Sequence, residues 1–414
     1  MTPTPAYQDA ARAPLSFVEF VAMMAATMAL HAVGIDAMLA ALPGIGREFS
    51  VVDQSRLPGI VTFYVMGAGA GQLAYGPLSD RFGRRPVLLA GLALYICCSL
   101  AASLAAGLDS LLFARGAQGL AVAAAGVIPR SIVRDRFSGA TMARVMSIIM
   151  IVFLLVPIVA PGLGQLLLLV VSWRSIFRLL AVLGLCMVVW IALRLPETLG
   201  PDHRRPLSAA HLGQAARFVV TEPTSIFYTL GMAAMFGSLI AYISTVPQIF
   251  AGAFHAPGLM AVTFAICAGA MGAASFVNSR IVERVGMHRI SHSALFAFIG
   301  FTAVHSFVAY GGTESILTFT LLQAATMACF GLAVSNFGAI AMQPMGAIAG
   351  SAASLQGVIS TVGGATVGTL IGRQWSGSVF FLPAGALFCG LTALCCVLLA
   401  EKARLFRKHP EKER

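Results

Sequence analysis

Apolar residues run through this chain in blocks, parted by short polar stretches that hold almost every charge. A helix that crosses a bilayer needs roughly 20 mostly apolar residues. The blocks predict spans at 15–41, 57–78, 86–106, 110–130, 143–171 and 176–194. A second set follows at 224–250, 258–279, 290–310, 315–342, 351–372 and 379–400. The expected fold is therefore an all-α membrane protein, with twelve transmembrane helices in two pseudo-symmetric six-helix bundles. The bundles take residues 1–195 and 223–400, joined by a polar linker at 196–222 and followed by a basic tail at 401–414. The first block starts near Leu15, is too long for a signal-peptide core and ends in no small-residue cleavage pattern, so it counts as span one.

Two pairs of short matches relate the halves. Asp80-Arg81-Phe82-Gly83 follows the second span, and Glu283-Arg284-Val285-Gly286 follows the eighth, 203 residues on. Leu42-Pro43 closes the first span, and Val246-Pro247 falls 204 residues later, near the end of the seventh. Nearly equal offsets mark an internal duplication. Duplicated halves suit a machine that rocks about a central site.

Composition narrows the function. Of 414 residues, 58% are hydrophobic and 10% charged, too little charge to cover a soluble surface. Twelve spans use nearly the whole chain and exclude most enzyme architectures. The net charge of +11 raises the question of nucleic acid, and its distribution answers it. With the N-terminus set inside, 21 Lys and Arg fall on inner stretches, whereas outer ones hold five: Arg47, Arg56, Arg174, Arg178 and Arg373. That imbalance places both termini in the cytoplasm and leaves no nucleic-acid footprint. All eight Cys lie in apolar runs, so neither disulfides nor a metal site is expected. No P-loop, Gly-x-Ser-x-Gly or HExxH pattern occurs, which disfavours ATP-driven export and hydrolytic chemistry.

The most specific segment is Gly76-Pro77-Leu78-Ser79-Asp80-Arg81-Phe82-Gly83-Arg84-Arg85-Pro86. On its residues alone it is a tight turn with three arginines at headgroup level, and small residues that let two helices approach. Pro86 is able to begin the next helix. The segment resembles the signature loop of the major facilitator superfamily, G-x-x-x-D-R-x-G-R-R, with every position matched. That resemblance implies a gating role for Gly76, Asp80, Arg81, Gly83, Arg84 and Arg85. It also implies that Asp80 latches onto the start of span eleven, near Gly350 and Ser351. A helix N-terminus favours an anion by up to about 1 kcal/mol.

Two charges lie deep in apolar spans. Arg115, within Leu112-Phe113-Ala114-Arg115-Gly116-Ala117-Gln118-Gly119-Leu120, is the only basic residue well inside one. A charge at such depth costs about 2.5–3.5 kcal/mol and should face a cavity or a partner. Asp36 stands seven residues before Pro43. Withdrawal from water disfavours charge on a carboxylate and a nearby guanidinium favours it, so together they poise a group to exchange protons. His31, about 140° around the helix from Asp36, is expected to be a packing or cavity-wall residue. Glu19, near the entry of the span, is expected to be solvated at the interface.

The segment from Asp36 to Pro43 resembles the first helix of the bicyclomycin-resistance branch of drug–proton antiporters, D-x-x-L-P-A-L-P, with Ala40 in place of the first proline. The run around Arg115 is similar to the superfamily's fourth-helix motif, whose arginine is associated with proton coupling. Arg130, Arg134 and Asp135 continue that pattern. On this resemblance Asp36 and Arg115 carry the coupling. Span five holds Pro157 and Pro161, four residues apart, and then Gly164. Prolines bend a helix and small residues permit close packing. The stretch resembles the antiporter motif of drug-exporting facilitators, G-x-x-x-G-P-x-x-G-G, at Pro161 and Gly164 but departs from it at Ala160 and Gln165.

Residues 336–357 and Leu195-Pro196-Glu197-Thr198-Leu199 are similar to the same branch, so the resemblance covers essentially the whole chain. It implies a proton-driven exporter of small amphiphilic compounds, with no cofactor and no metal, working as a monomer in a bacterial inner membrane. Phe63, Tyr64, Phe153, Phe236 and Tyr242 are candidates for the substrate pocket, since aromatic walls bind flat amphiphiles without strict hydrogen-bond geometry. Two rivals stay open: proton-linked uptake of a nutrient on the same fold, and a transport-inactive membrane sensor.

Overall fold

The computed structural model describes residues 15–137, 139–200, 209–312 and 314–406. Side chains at 139–140, 143–144, 147, 150–155, 209–212, 214–215 and 346–351 lie outside that description. The first half contains α1 (Phe17–Asp36), the short α2 (Leu42–Glu48), α3 (Gly59–Phe82), α4 (Arg84–Ser103), α5 (Leu108–Arg136), α6 (Gly139–Leu168) and α7 (Arg174–Arg194). A linker helix, α8 (Ala209–Thr221), comes next. The second half contains α9 (Pro223–Gln248), α10 (Met260–Val285), α11 (Met287–Tyr310), α12 (Ile316–Met342), α13 (Ala349–Gly372) and α14 (Phe381–Ala400). Over the described residues, eleven helices are long and apolar enough to cross a membrane, and α6 adds the apolar stretch Val156–Leu168. The chain is an all-α, multi-spanning membrane protein.

Bare backbone sets the closest packing. A Cβ at Gly119 of α5 would stand 1.9 Å from the Tyr64 carbonyl oxygen of α3, and one at Gly67 would stand 2.0 Å from that of Gly116. The α3–α5 interface therefore exists only because neither helix carries a side chain there. The duplication seen in the sequence recurs in the backbone. Gly83 ends α3 and opens α4 at φ 101°, ψ 152°, and Gly286 does the same between α10 and α11 at φ 93°, ψ 142°. Both lie where L side chains are strained. The end of the molecule that carries these two turns is the basic end; the opposite one is the far end.

Four expected boundaries move for identifiable reasons. The apolar pattern carries span one to residue 41, but α1 stops at Asp36. Ala37 closes its last turn on the Val33 carbonyl, Leu39–Ala41 tightens into a 3₁₀ turn, and Pro43 opens α2 in the first-turn position that tolerates a missing N–H. Conversely α3, α5 and α10 run on to Phe82, Arg136 and Val285, with Arg81, Arg134, Arg136 and Arg284 in last turns, where a cation suits the helix dipole. The linker holds the helix α8, which polarity alone did not signal.

The halves meet along a long seam. On α3 and α13, Pro58 lies by Gly372, Gly69 by Thr361 and Val362, Gln72 by Gly357, and Gly76 by Ser354. At the far end Gln165 of α6 donates to the Pro257 carbonyl at 2.9 Å, and Gln248 of α9 donates to the Gln54 carbonyl at 2.6 Å. Those two bonds tie the halves together at that end.

Candidate proton-coupling site

Asp36 is the last residue of α1 and only 3% exposed. No ion pair or hydrogen bond engages its carboxylate among the described residues. The hydroxyls of Tyr64 on α3 and Tyr242 on α9 lie within electrostatic reach of it, so it sits where the two halves face each other. The Tyr242 ring is stacked on Phe264 of α10, with centroids 5.6 Å apart and planes 13° apart. Its hydroxyl meets no nitrogen or oxygen partner, only the Cys267 thiol. A buried carboxylate costs free energy unless it is paired or neutralised.

Arg115 is fully buried, which excludes a snorkelling role. Its Nε donates to the Ile60 carbonyl at 3.1 Å, Nη1 to Gln118 Oε1 at 2.6 Å and Nη2 to the Gly34 carbonyl at 3.0 Å. Gln118 in turn donates to Ser99 at 2.6 Å. The guanidinium lies over the Tyr64 ring, 4.1 Å from its centroid, a contact worth about 2 kcal/mol when desolvated. Arg115 makes no ion pair with Asp36 among the described residues. Arg115 instead holds a carbonyl in the final turn of α1, whose orphan acceptors welcome a cation. Tyr64 adds a second tie, donating to the His31 carbonyl at 3.1 Å. Arg115 thus binds the backbone two residues before Asp36, at the end of α1.

The other face of this break is held by α6. A Cβ at Gly164 would stand 2.1 Å from the Ala37 carbonyl oxygen, so only glycine lets α6 lie against the turn that follows Asp36. Pro161 is buried on the same stretch and Pro157 half-buried, and α6 stays helical through both. His31 packs against the Tyr64 ring at 5.7 Å, and its Nδ1 is buried without a partner. A wall position suits it.

The basic end is a separate device. Arg84 is buried there, with Nη1 on Asp80 at 2.5 Å and Ser79 at 2.7 Å, and Nε on Asp135 at 2.9 Å. Glu197, which sequence reasoning noted without a role, accepts the backbone N–H groups of Arg84 at 2.9 Å and Arg85 at 3.2 Å. A carboxylate on the first N–H groups of α4 serves as an N-terminal cap from a distant segment. Arg85 also reaches the Ala192 carbonyl at 2.7 Å. Asp80 therefore has a partner in its own half; the side chains of Gly350 and Ser351, its expected docking point, lie outside the described residues. Arg81 lies over the Phe82 ring, and Arg134 is exposed.

One expectation gains a partner and another needs correction. Glu19 is part-exposed at the entry of α1, and Arg194 of α7 holds it there through two bonds, at 2.7 and 2.8 Å. Phe63 does not line the interior. It is 44% exposed beside Gly116, on the side of α5 that also presents Phe113 and Leu120. Its neighbour Tyr64, about 100° around the helix, takes the buried position. Phe236 packs edge-on against Phe330 at 5.7 Å within the second half, and the Phe153 side chain lies outside the described residues. Tyr64 and Tyr242 are thus the two pocket candidates that the fold brings to Asp36. Among the described residues no group of three or more His, Cys, Asp or Glu side chains gathers as a metal site.

The Major Facilitator Superfamily model matches residues 15–368. The chain belongs to that superfamily and is a membrane transporter of small molecules. It is 30% identical to the uncharacterized MFS-type transporter YdgK of Bacillus subtilis, over 88% of this chain and 92% of that one. It is 28% identical to the bicyclomycin resistance protein homolog of Haemophilus influenzae, over 63% of this chain and 66% of that one. Multidrug resistance protein MdtL of Shigella dysenteriae is 26% identical over 93% and 96% of the two chains. In fold the chain is similar to a D-xylose-proton symporter, with a TM-score of 0.74 at 13% identity, covering 93% and 97% of the two chains.

Proposed function

We propose that this chain is a proton-coupled antiporter that exports small amphiphilic compounds across a bacterial inner membrane. The basic end and both termini lie in the cytoplasm, and the bundles 1–195 and 223–400 rock about the seam with 196–222 as tether. The observation that carries this reading is Asp36: a buried carboxylate at the broken end of α1, engaged by no ion pair among the described residues and within electrostatic reach of Tyr242 of the other half. Such a group binds a proton or a cargo cation in turn. A ligand shifts the two access states only by its differential affinity for them, and competition for one carboxylate supplies that difference. Arg115 and Tyr64 hold α1 so that the competition happens in one place. Asp80, Arg84, Asp135 and Glu197 brace the cytoplasmic end, and the Gln165 and Gln248 bonds support a state closed to the outside.

Likeness to bicyclomycin-resistance and multidrug-resistance relatives supports export rather than uptake. Purified protein in vesicles with an imposed pH gradient tests this against a panel of amphiphilic antimicrobials. Accumulation against the proton flux, lost in Asp36→Asn, is the expected result. Accumulation with the flux makes the protein a symporter, and none with any compound favours a transport-inactive role.

A further inference from the structure

We propose that a groove at the far end, between α6 and α10, holds one anionic phospholipid, with its phosphate on Arg47 and an acyl chain laid along the seam of the two halves. Neither the orientation of the chain nor the direction of transport enters this inference. The groove has a volume of about 1160 Å³. Leu166 and Leu168 reach it from the last turn of α6, and Met260 and Val262 from the first turn of α10. Gln165 and Pro257, whose hydrogen bond joins the halves, also line it, which places it on the seam. A Cβ on Gly44 or on Gly258, one lining residue from each half, would meet nothing within 4 Å, so the space before both is open.

The apolar surface does not stop at the groove. Leu163 of α6 and Ile266 of α10 are exposed, as are Leu166 and Val262 on the lining itself. In a chain that spans a bilayer, such a face meets lipid tails. An acyl chain therefore passes from the bilayer into the groove without leaving apolar surroundings.

Charge selects the head group. Arg47 of α2 is the only charged side chain on the lining, and its guanidinium meets no carboxylate, carbonyl or ring among the described residues. Three acids at this end of the first half are already engaged: Glu48 by Arg174 and the Trp173 indole, Asp53 by the Ser55 hydroxyl and N–H, and Asp109 by Arg56. Helix ends mark the depth of lipid head groups, where a phosphate offers an arginine two oxygens at once. A zwitterionic head group brings its own cation to that phosphate, so the site prefers an anionic one. A lipid seated here touches both halves and adds to the two glutamine bonds between them.

Trp173 also lines the groove and reports its occupant. With Trp190→Phe and Trp375→Phe it is the last of the three tryptophans in the chain, and a brominated acyl chain beside it quenches its fluorescence. In vesicles of phosphatidylglycerol and phosphatidylcholine, brominated one at a time, exchange at Trp173 should favour phosphatidylglycerol by about fivefold, the size expected of one basic residue. Arg47→Lys should keep most of that preference, and Arg47→Gln should remove it. Native mass spectrometry of the protein with all its tryptophans gives an independent count: one retained phosphatidylglycerol, lost in Arg47→Gln. Equal quenching by the two lipids, or a preference that survives Arg47→Gln, overturns the proposal. So does the absence of quenching by either, which would put protein, such as a second copy of this chain, over the groove.

Discussion

Glu197 and Glu401 stand 204 residues apart, the spacing of the internal repeat, and each follows the last helix of its own half. Both reach back to the helix that begins after the left-handed glycine. Glu197 takes two backbone N–H groups, next to an arginine bound by two carboxylates. Glu401 instead takes a hydrogen bond from Tyr228 at 2.9 Å and faces His288 at 3.3 Å. Duplication preserved the carboxylate and its geometry, then gave it partners of opposite character. One half is tied by carboxylates on a guanidinium and on backbone N–H groups, the other by a carboxylate on an imidazole and a phenol. The same asymmetry holds deeper in. The offset that sets Pro247 against Pro43 sets the buried Ile240 against Asp36. The proposed coupling residues thus lie in the first half, while the second supplies an aromatic wall and an imidazole–phenol frame.

The asymmetry between the halves is sharpest at Arg115. Arg115→Lys keeps the charge but cannot serve three acceptors in one plane. Opening a buried polar network typically costs 3–5 kcal/mol, so transport should fall by roughly 100-fold with a lower Tm, whereas Ile240→Val in the other half should change neither appreciably. Transport in vesicles and thermal melts of the purified variants check this.

A smaller difference should separate the two turn glycines. Alanine at either position meets left-handed strain of about 1–2 kcal/mol. A Cβ at Gly83 would also stand 2.5 Å from Glu197, while at Gly286 nothing lies within 4 Å. Gly83→Ala should therefore lower Tm more than Gly286→Ala. Equal losses would mean that the Glu197 cap contributes nothing.

The smallest effect is one of pH. The hydrogen bond from His288 holds the Glu401 carboxyl below the usual carboxylate range. A lowered value contributes stability above the unfolded value near 4.3, and that contribution is lost as pH falls through the folded one. Glu401→Gln should lower Tm by no more than about 2 °C at pH 7 and by less near pH 4. Melts of both proteins at the two pH values decide it.

Much of this was legible in sequence because it is written in local pattern. Apolar blocks gave the spans, Gly83 and Gly286 fell in matched motifs, and Asp36 and Arg115 stood out as lone charges in apolar runs. What escaped depends on groups that sequence does not pair. Arg115 answers to carbonyls of Gly34 and Ile60, and backbone acceptors leave no trace in residue identity. Glu19 and Arg194 are 175 residues apart. The end of α1 at Asp36 is hidden because apolar residues continue to Leu42, although Pro43 hinted at a new start. Phe63 and Tyr64 are neighbours in sequence, and only helix phase tells lipid side from interior.

Antiport requires Asp36 to surrender a proton when cargo binds. Proton release can be counted in weakly buffered nanodiscs as an amphiphilic cation is titrated into purified protein. About one proton per bound cation is expected from the wild type and none from Asp36→Asn, with the cation still binding more weakly to the variant. Equal release from both proteins would contradict it.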